Sequence, residues 1–534
     1  MEQADDAVMG SVAVMTRIDG RLPRRGDVVR LWLDGVDADG VATGQLEGLL
    51  DRGKTAVSAR VAVRGGLPGD EVEAEVTARG GGVVSGRVIR LLTPSPDRVS
   101  PPCPHATACG GCTLQGLVYP AQLAAKRGRV TGELAEAGVA VEVAEPMGAD
   151  VRFRHRHKME FSFGRSGGRG DADAELVLGL HPRGHRWEVL PLATCLMLSD
   201  GAFAITEAVR EAARGLGLRA RDDRDQTGWL ETLSIRESRR AGATGVDDAA
   251  GLAEAPWRLV ELTTADVDAV ATRDGTEAPE AVARSLAAVA AALPQVVGVL
   301  WTRRRAARGS PTTRTSVCLE GQGWLPEDLA RPNGPPLSLH VSPQAFFQPH
   351  PRQAERLIGR IGERLAAEAV ELGRGLNLAD LYCGTGTLGL ALAGVVARLV
   401  GVELVPEAVA DAQANAARNG IENATFLAGD VGAVLSDASL SRYFHDMDAV
   451  IVDPPRAGLM PQASQHLAAL GARLLVYVSC NPASLARDLP VLARLGYALE
   501  GPLQPVDLFP QTHHIETLAC FVRQDGAVAM AEGS

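Results

Sequence analysis

The sequence predicts a multidomain α/β protein: an N-terminal OB-like β-barrel, a mixed α+β central region and a C-terminal doubly wound parallel sheet. Three observations predict it. Short glycine-separated strand patterns run from Arg25 to about Leu92. After Phe346, helix and strand patterns alternate, which implies a parallel sheet with ligands at its carboxyl edge. Proline clusters separate these regions, as Pro94, Pro96, Pro101, Pro102 and Pro104, and again in Pro332-Asn333-Gly334-Pro335-Pro336. At 534 residues the chain also exceeds what one core can hold.

In chain order, residues 1–22 read as a disordered leader and 23–95 as the barrel. Val28–Leu33, Ala59–Val63 and Glu71–Val76 alternate like half-buried strands, and five strands of this length fit an OB-like module. Residues 96–345 form the central domain, with Arg239 to Pro256 as a loop insertion. Residues 346–525 carry the doubly wound pattern. Arg352–Glu371, Thr387–Val396 and Pro406–Asn419 read as its helices. Gly375–Leu381, Arg398–Glu403, Asp448–Asp453 and Leu474–Val478 read as strands, and a final β section runs to Val522.

Hydrophobic content of 46% with 22% charge describes an ordinary globular protein. The first residues carry Glu2, Asp5 and Asp6 with no basic region before an apolar one, and Leu388 to Val402 is too short to span a bilayer. A cytoplasmic monomer with no membrane association is expected. A net charge of −11 argues against a uniformly basic nucleic-acid binder. Arg152 to Gly170 nevertheless holds six basic residues against Glu160 alone, and such a strip suits a polyanion as well as it suits a solvated face. Acids crowd instead into residues 222–280.

The chemistry-bearing segments lie after the predicted strands. Asp380-Leu381-Tyr382-Cys383-Gly384-Thr385-Gly386-Thr387 follows one strand and opens a helix, where glycines let backbone approach a nucleoside. Gly384, Gly386 and Gly389 match a dinucleotide fingerprint, a weak signal alone. Glu403, at the next strand end, suits ribose hydroxyls, and Asp430, at a third, an adenine edge. Asp453-Pro454-Pro455-Arg456 favours S-adenosyl-L-methionine over a nicotinamide, because a rigid turn of this kind has no role in hydride transfer. Cys480 follows the apolar run Leu474–Val478 within Ser479-Cys480-Asn481-Pro482. A thiol there is a candidate nucleophile, although most free cysteines are small buried hydrophobes. Cys103, Cys109 and Cys112, with a distant Cys195, suit a zinc or an iron–sulfur site, and spacing alone does not choose.

Together these motifs, with Gln344-Ala345-Phe346-Phe347-Gln348 and Asp507-Leu508-Phe509-Pro510-Gln511-Thr512-His513-His514-Ile515-Glu516, give the sequence a strong resemblance to the bacterial RNA 5-methyluridine methyltransferases. This family modifies uridines of 23S rRNA and of the tRNA T-loop, and the resemblance runs from about residue 25 to residue 523. It implies a TRAM domain in the barrel and a Rossmann-like methyltransferase domain at the C-terminus. The implied cofactor ligands are Gln348, Tyr382, Gly384, Thr387, Glu403, Asp430 and Asp453, although the family often has Asn where Thr387 stands. It further implies a 4Fe–4S cluster on Cys103, Cys109, Cys112 and Cys195, with Phe346, Arg154 and Arg156 touching RNA. Of the remaining thiols, Cys383 borders the cofactor loop and Cys318 and Cys520 read as structural.

Carbon 5 of uracil is a poor nucleophile, so methylating it requires a thiolate at C6 and a base for the C5 proton. Cys480 and Glu516 are expected in those roles, with electropositive surroundings lowering the thiol pKa. The barrel and the cluster cysteines resemble the rRNA-directed members of the family more than the tRNA-directed ones. A 5-methylcytosine enzyme is disfavoured because Pro454-Pro455 is followed by Arg456 and not by a second cysteine. A non-catalytic RNA chaperone on the same scaffold is disfavoured by the presence of both Cys480 and Glu516.

Overall fold

The structure, a computed structural model, describes residues 14–50, 55–166, 174–185, 187–238, 256–306 and 311–524. The chain divides into two compact units: residues 1–107, 112–133 and 511–514 in one, and 108–111, 134–510 and 515–534 in the other.

The first unit holds an eight-stranded sheet. Its long strands are Val28–Trp32, Ala42–Leu50, Thr55–Arg64, Glu71–Gly80 and Val83–Thr93, with short ones at Val14–Met15, Ile18–Gly20 and Gly35–Val36. Alternation drives inward-facing Val29, Leu31, Val61, Val63, Val72, Ala74 and Val76 into one core. Val14–Met15 pairs with one edge of the sheet and Ile18–Gly20 with the other, so one segment laces both edges. A Cβ at Gly44 would collide with the carbonyl oxygen of Trp32, and one at Gly48 with that of Ile18, so the close approach of backbone there requires glycine at both. Part of the leader expected over residues 1–22 is thus ordered, with Val14–Met15 and Ile18–Gly20 as paired strands, and residues 1–13 lie outside the described residues.

In the second unit, seven strands form a mixed sheet in the order Leu190–Pro191, Leu176–Leu180, Lys158–Arg165, Leu230–Glu237, Arg258–Ala265, Val296–Arg305 and Thr313–Gly321. Helices Asp200–Gly215 and Pro279–Ala291 pack on it. Ser199 caps the first of these by accepting the Ala202 N–H. The acid-rich stretch 222–280 contributes strands Leu230–Glu237 and Arg258–Ala265 to this sheet, and the insertion expected at Arg239 to Pro256 lies almost wholly outside the described residues.

The doubly wound part contains five parallel strands in the spatial order Ala424–Ala428, Arg398–Glu403, Asn377–Leu381, Ala449–Val452 and Leu474–Ser479. Glu516–Arg523 then adds antiparallel, followed by Tyr497–Leu499, while Gln504–Val506 also pairs with Glu516–Arg523. Strand order reverses between Asn377–Leu381 and Ala449–Val452, the switch point at which such sheets bind ligands. Helix Pro351–Leu372 starts on proline and ends at Gly373, whose φ of 66° closes a left-handed cap. The central and C-terminal parts, expected as separate domains, share one apolar core, in which Leu259 and Leu300 join Leu325, Leu357, Leu378 and Ile451. Among the described residues, no helix is long and apolar enough to cross a membrane.

Candidate active site

The loop after Asn377–Leu381 turns sharply, with φ of 65° at Tyr382, 55° at Gly384 and 73° at Gly386. Only the tyrosine carries a side chain there, a conformation that favours glycine. Buried Asp380 holds the turn by accepting the Gly389 N–H at 3.0 Å, and a Cβ at Gly389 would stand 2.7 Å from that same oxygen. The Glu403 carboxylate accepts the N–H groups of Gly384 and Val405, each at 3.0 Å, tying two strand-end loops together. Asp430 is exposed and caps helix Val431–Ser436 through the Ala433 N–H at 3.1 Å. Thr387 is buried, its hydroxyl 3.1 Å from that of Thr385. Gln348 donates to Asp453 at 3.3 Å, and the Asp453 N–H reaches the Leu381 carbonyl. Burial raises both Asp380 and Asp453 to about 7 and Tyr382 to about 12. Carboxylates at the ends of successive parallel strands, beside an open turn at Gly384, form a donor and acceptor set that fits a nucleoside.

Strand register brings together the two residues with the strongest chemical promise. Ser479 pairs with Thr517 in the antiparallel ladder, so one step further along the same register sets Cys480 opposite Glu516. Asp453 ends the neighbouring parallel strand. The Asn481 side chain donates to the Arg456 carbonyl at 2.8 Å, and Asn481 caps helix Pro482–Arg494, which ties the cysteine turn to the Asp453–Arg456 loop.

The electrostatics correct one expectation. The Cys480 thiol is pushed up to about 11, first by burial and then by Glu516 and Asp453, with Arg456 opposing. Burial and Asp453 also push Glu516 well above the ordinary carboxylate range. The mechanism led to the expectation of electropositive surroundings; Glu516 and Asp453, both expected at the site, instead act on the thiol as carboxylates. At pH 8 such a thiol is ionised only to about one part in a thousand. Alkylation of Cys480 by iodoacetamide, followed by peptide mass spectrometry, is therefore expected to rise about tenfold per pH unit from 7 to 10 without levelling off. A plateau below pH 8 would show the thiol to be activated in the free protein.

Sequence reasoning missed a support beneath this edge. Tyr477, read only as part of an apolar run, is fully buried and donates to Asp488 at 2.7 Å. The same carboxylate accepts the Leu459 N–H at 2.8 Å and so fixes the loop after Asp453. Nothing in local sequence marks a tyrosine in a strand as a loop anchor.

Phe346 is 63% exposed, whereas neighbouring Phe347 is buried against His157. Arg154, with φ of 51°, makes a two-pronged ion pair with Asp200 at 2.9 and 3.0 Å. Arg156 lies over the Phe509 ring. Lys158 is held below its ordinary pKa, chiefly by desolvation and then by Arg236. Arg169 lies outside the described residues. The basic strip is thus broken into separately engaged side chains.

Cys103 and Cys112 fall in the first unit, Cys109 and Cys195 in the second. Among the described residues, no three His, Cys, Asp or Glu side chains are grouped so as to hold a metal ion. Cys383 is buried beside the loop, as expected, but Cys318, expected to be structural, is exposed.

A switch-point site with strand-end carboxylates and a Pro-Pro loop defines the class as a methyltransferase of mixed α/β fold. Comparisons with known proteins place it further. Residues 333–524 match the family model described as tRNA (Uracil-5-)-methyltransferase. An uncharacterized RNA methyltransferase of Gloeobacter violaceus is 35% identical over 467 residues, covering 86% of this chain and 91% of its own. Another, of Chlorobaculum tepidum, is 31% identical over 515 residues, covering 94% and 98%. Among solved structures, the Pyrococcus abyssi tRNA (uracil-54, C5)-methyltransferase in complex with S-adenosyl-L-homocysteine superposes with a TM-score of 0.63. It covers 92% of this chain and all of its own at 22% identity, a likeness of fold. The chain belongs to the RNA 5-methyluridine methyltransferase family, and it is an RNA methyltransferase that uses S-adenosyl-L-methionine.

Proposed function

We propose that this protein forms 5-methyluridine in 23S rRNA through a transient bond between Cys480 and the target uracil. The observation that carries this reading is the register that sets Cys480 opposite Glu516, with Asp453 on the adjoining strand. Cys480 loses its proton to solvent and adds to C6 as the thiolate, which makes C5 an enolate carbon able to take a methyl group. S-adenosyl-L-methionine supplies that methyl as an electrophile. Glu516 then removes the C5 proton, the C5=C6 bond re-forms and the thiolate leaves, so that each bond made at C6 is broken again. Asp453 positions the uracil edge, while Gln348, Tyr382, Gly384, Thr387, Glu403 and Asp430 hold the methyl donor. The Glu403 and Asp430 carboxylates at successive strand ends support this assignment.

The target base must leave its stack to reach the thiol, so a looped or flipped-out uridine is the substrate. In this reading the barrel is a TRAM domain that binds RNA, with Phe346, Arg154 and Arg156 as further contacts, and the protein works as a cytoplasmic monomer. A 4Fe–4S cluster on Cys103, Cys109, Cys112 and Cys195 rests on the family resemblance, since their spacing suits zinc equally, and iron analysis of protein purified without oxygen tests it.

A second reading, the T-loop of tRNA, is favoured by the family model and by the solved neighbour, both of which carry tRNA in their names. Purified protein with S-adenosyl-L-methionine is expected to place 5-methyluridine in undermodified 23S rRNA, read by nucleoside mass spectrometry. Methylation of tRNA alone would select the second reading, and methylcytidine as product would overturn both.

A further inference from the structure

The segment from Ser342 to Gln348 is bound to the protein almost residue by residue. The Ser342 hydroxyl donates to Asp411 at 2.9 Å, the Gln344 side chain to Ser316 at 2.7 Å, and that of Gln348 to Asp453 at 3.3 Å. The Arg236 guanidinium donates to the Pro343 carbonyl from two nitrogens, at 3.1 and 2.9 Å, and also to the Ala345 carbonyl. Lys158 adds a longer donation to Pro343 at 3.4 Å. Phe347 is packed against His157, which in turn pairs with buried Glu327 at 3.1 Å. Phe346, in the middle, alone combines a large apolar side chain with 63% exposure.

This clamp is costly to build. Arg236 is 4% exposed, and strand register sets it directly opposite Lys158. Two like charges facing each other across a sheet repel, and Glu261 beside them offsets only part of what burying them costs. Apolar residues would pack there at less cost but could not grip two carbonyls at once, a task that suits the planar fork of arginine.

We propose that Arg236 is a positioning residue for RNA: it presets the Ser342–Gln348 loop so that Phe346 stands ready as a stacking platform for a substrate base. The proposal rests on the function proposed above, because it assumes that RNA is the molecule stacking on Phe346. Arg236→Lys keeps the charge, but an ammonium lacks the fork that spans Pro343 and Ala345.

In the Arg236→Lys variant, KM for RNA is expected to rise about tenfold or more, with a much smaller change in kcat at saturating RNA. In a Phe346→Ala background, adding Arg236→Lys is expected to change the RNA KM by less than about twofold, because neighbours acting as one unit are not additive. Full additivity would overturn the proposal, as would an unchanged KM in the single variant. A second readout needs no RNA. A fluorinated phenylalanine at position 346 is expected to give one sharp fluorine resonance in the otherwise unaltered protein, and a broadened or split one when Arg236→Lys is added. An unchanged resonance overturns the clamp even if uridine proves not to be the substrate, and a changed one supports it in that same case.

Discussion

Replacing Cys480 by alanine is expected to reduce methyl transfer by at least about a thousandfold while leaving the cofactor's Kd within about threefold. The size follows from chemistry. Without sulfur at C6 the uracil remains aromatic-like and C5 stays a poor nucleophile, so no alternative route of similar height is available on this site. A thousandfold corresponds to about 4 kcal/mol of transition-state free energy. Preserved cofactor binding follows from placement: Cys480 sits beyond the fifth parallel strand, whereas Gly384, Glu403 and Asp430 lie beyond the first three. The alanine variant should also fail to trap RNA containing 5-fluorouridine, a substrate whose C5 fluorine blocks the last elimination and leaves the protein joined to it. Methylation at a tenth of the original rate or better would remove the sulfur from the mechanism. A loss of cofactor binding in parallel would instead mean that the substitution had disturbed the sheet edge.

What could be read in the sequence, and what could not, follows from how far apart the interacting residues lie. The strand ends of the doubly wound part were legible because apolar runs such as Leu474–Val478 stop abruptly at polar turns, and those stops are local. Cys480 was legible for the same reason. Its ionisation was not. Glu516 stands 36 residues further along, and only the antiparallel ladder of Glu516–Arg523 on Leu474–Ser479 puts a carboxylate across from the thiol. The partner of Arg154 was hidden likewise: Asp200, which engages it, belongs to a helix that begins well downstream. The division of the second unit was misread because Leu259 and Leu300 look like ordinary strand residues, and nothing in their neighbourhood reveals that they share a core with Leu357 and Leu378. Local pattern reports where an element is and which way it faces; it does not report what arrives from elsewhere.

Glu516→Gln is expected to stop the reaction one step later, with the RNA still attached. Glutamine keeps the shape of the side chain and its place in the ladder beside Val506 and Thr517, but it cannot take a proton from C5. Addition of sulfur and transfer of methyl do not need that proton to leave; release of the sulfur does. A protein–RNA adduct that survives denaturing electrophoresis should therefore build up from ordinary uridine RNA and S-adenosyl-L-methionine, while turnover falls by about a hundred- to ten-thousandfold. The electrostatics sharpen the expectation. Glu516 is buried, and after burial itself it is the first contributor holding the Cys480 thiol high. Removing its charge favours the thiolate, so the alkylation profile of Cys480 should move to lower pH in the Gln variant, and the first step should not slow. The base also sets an expected pH course for the unsubstituted enzyme. A carboxyl raised well above its ordinary range is protonated below that pKa and competent only above it, so turnover should rise with pH through that value, and in Glu516→Gln only the rise that follows ionisation of the Cys480 thiol should remain. Normal turnover with no adduct would move the proton acceptor elsewhere. Asp453 is then the next candidate, since it is also raised, to about 7, and stands at the same edge of the sheet.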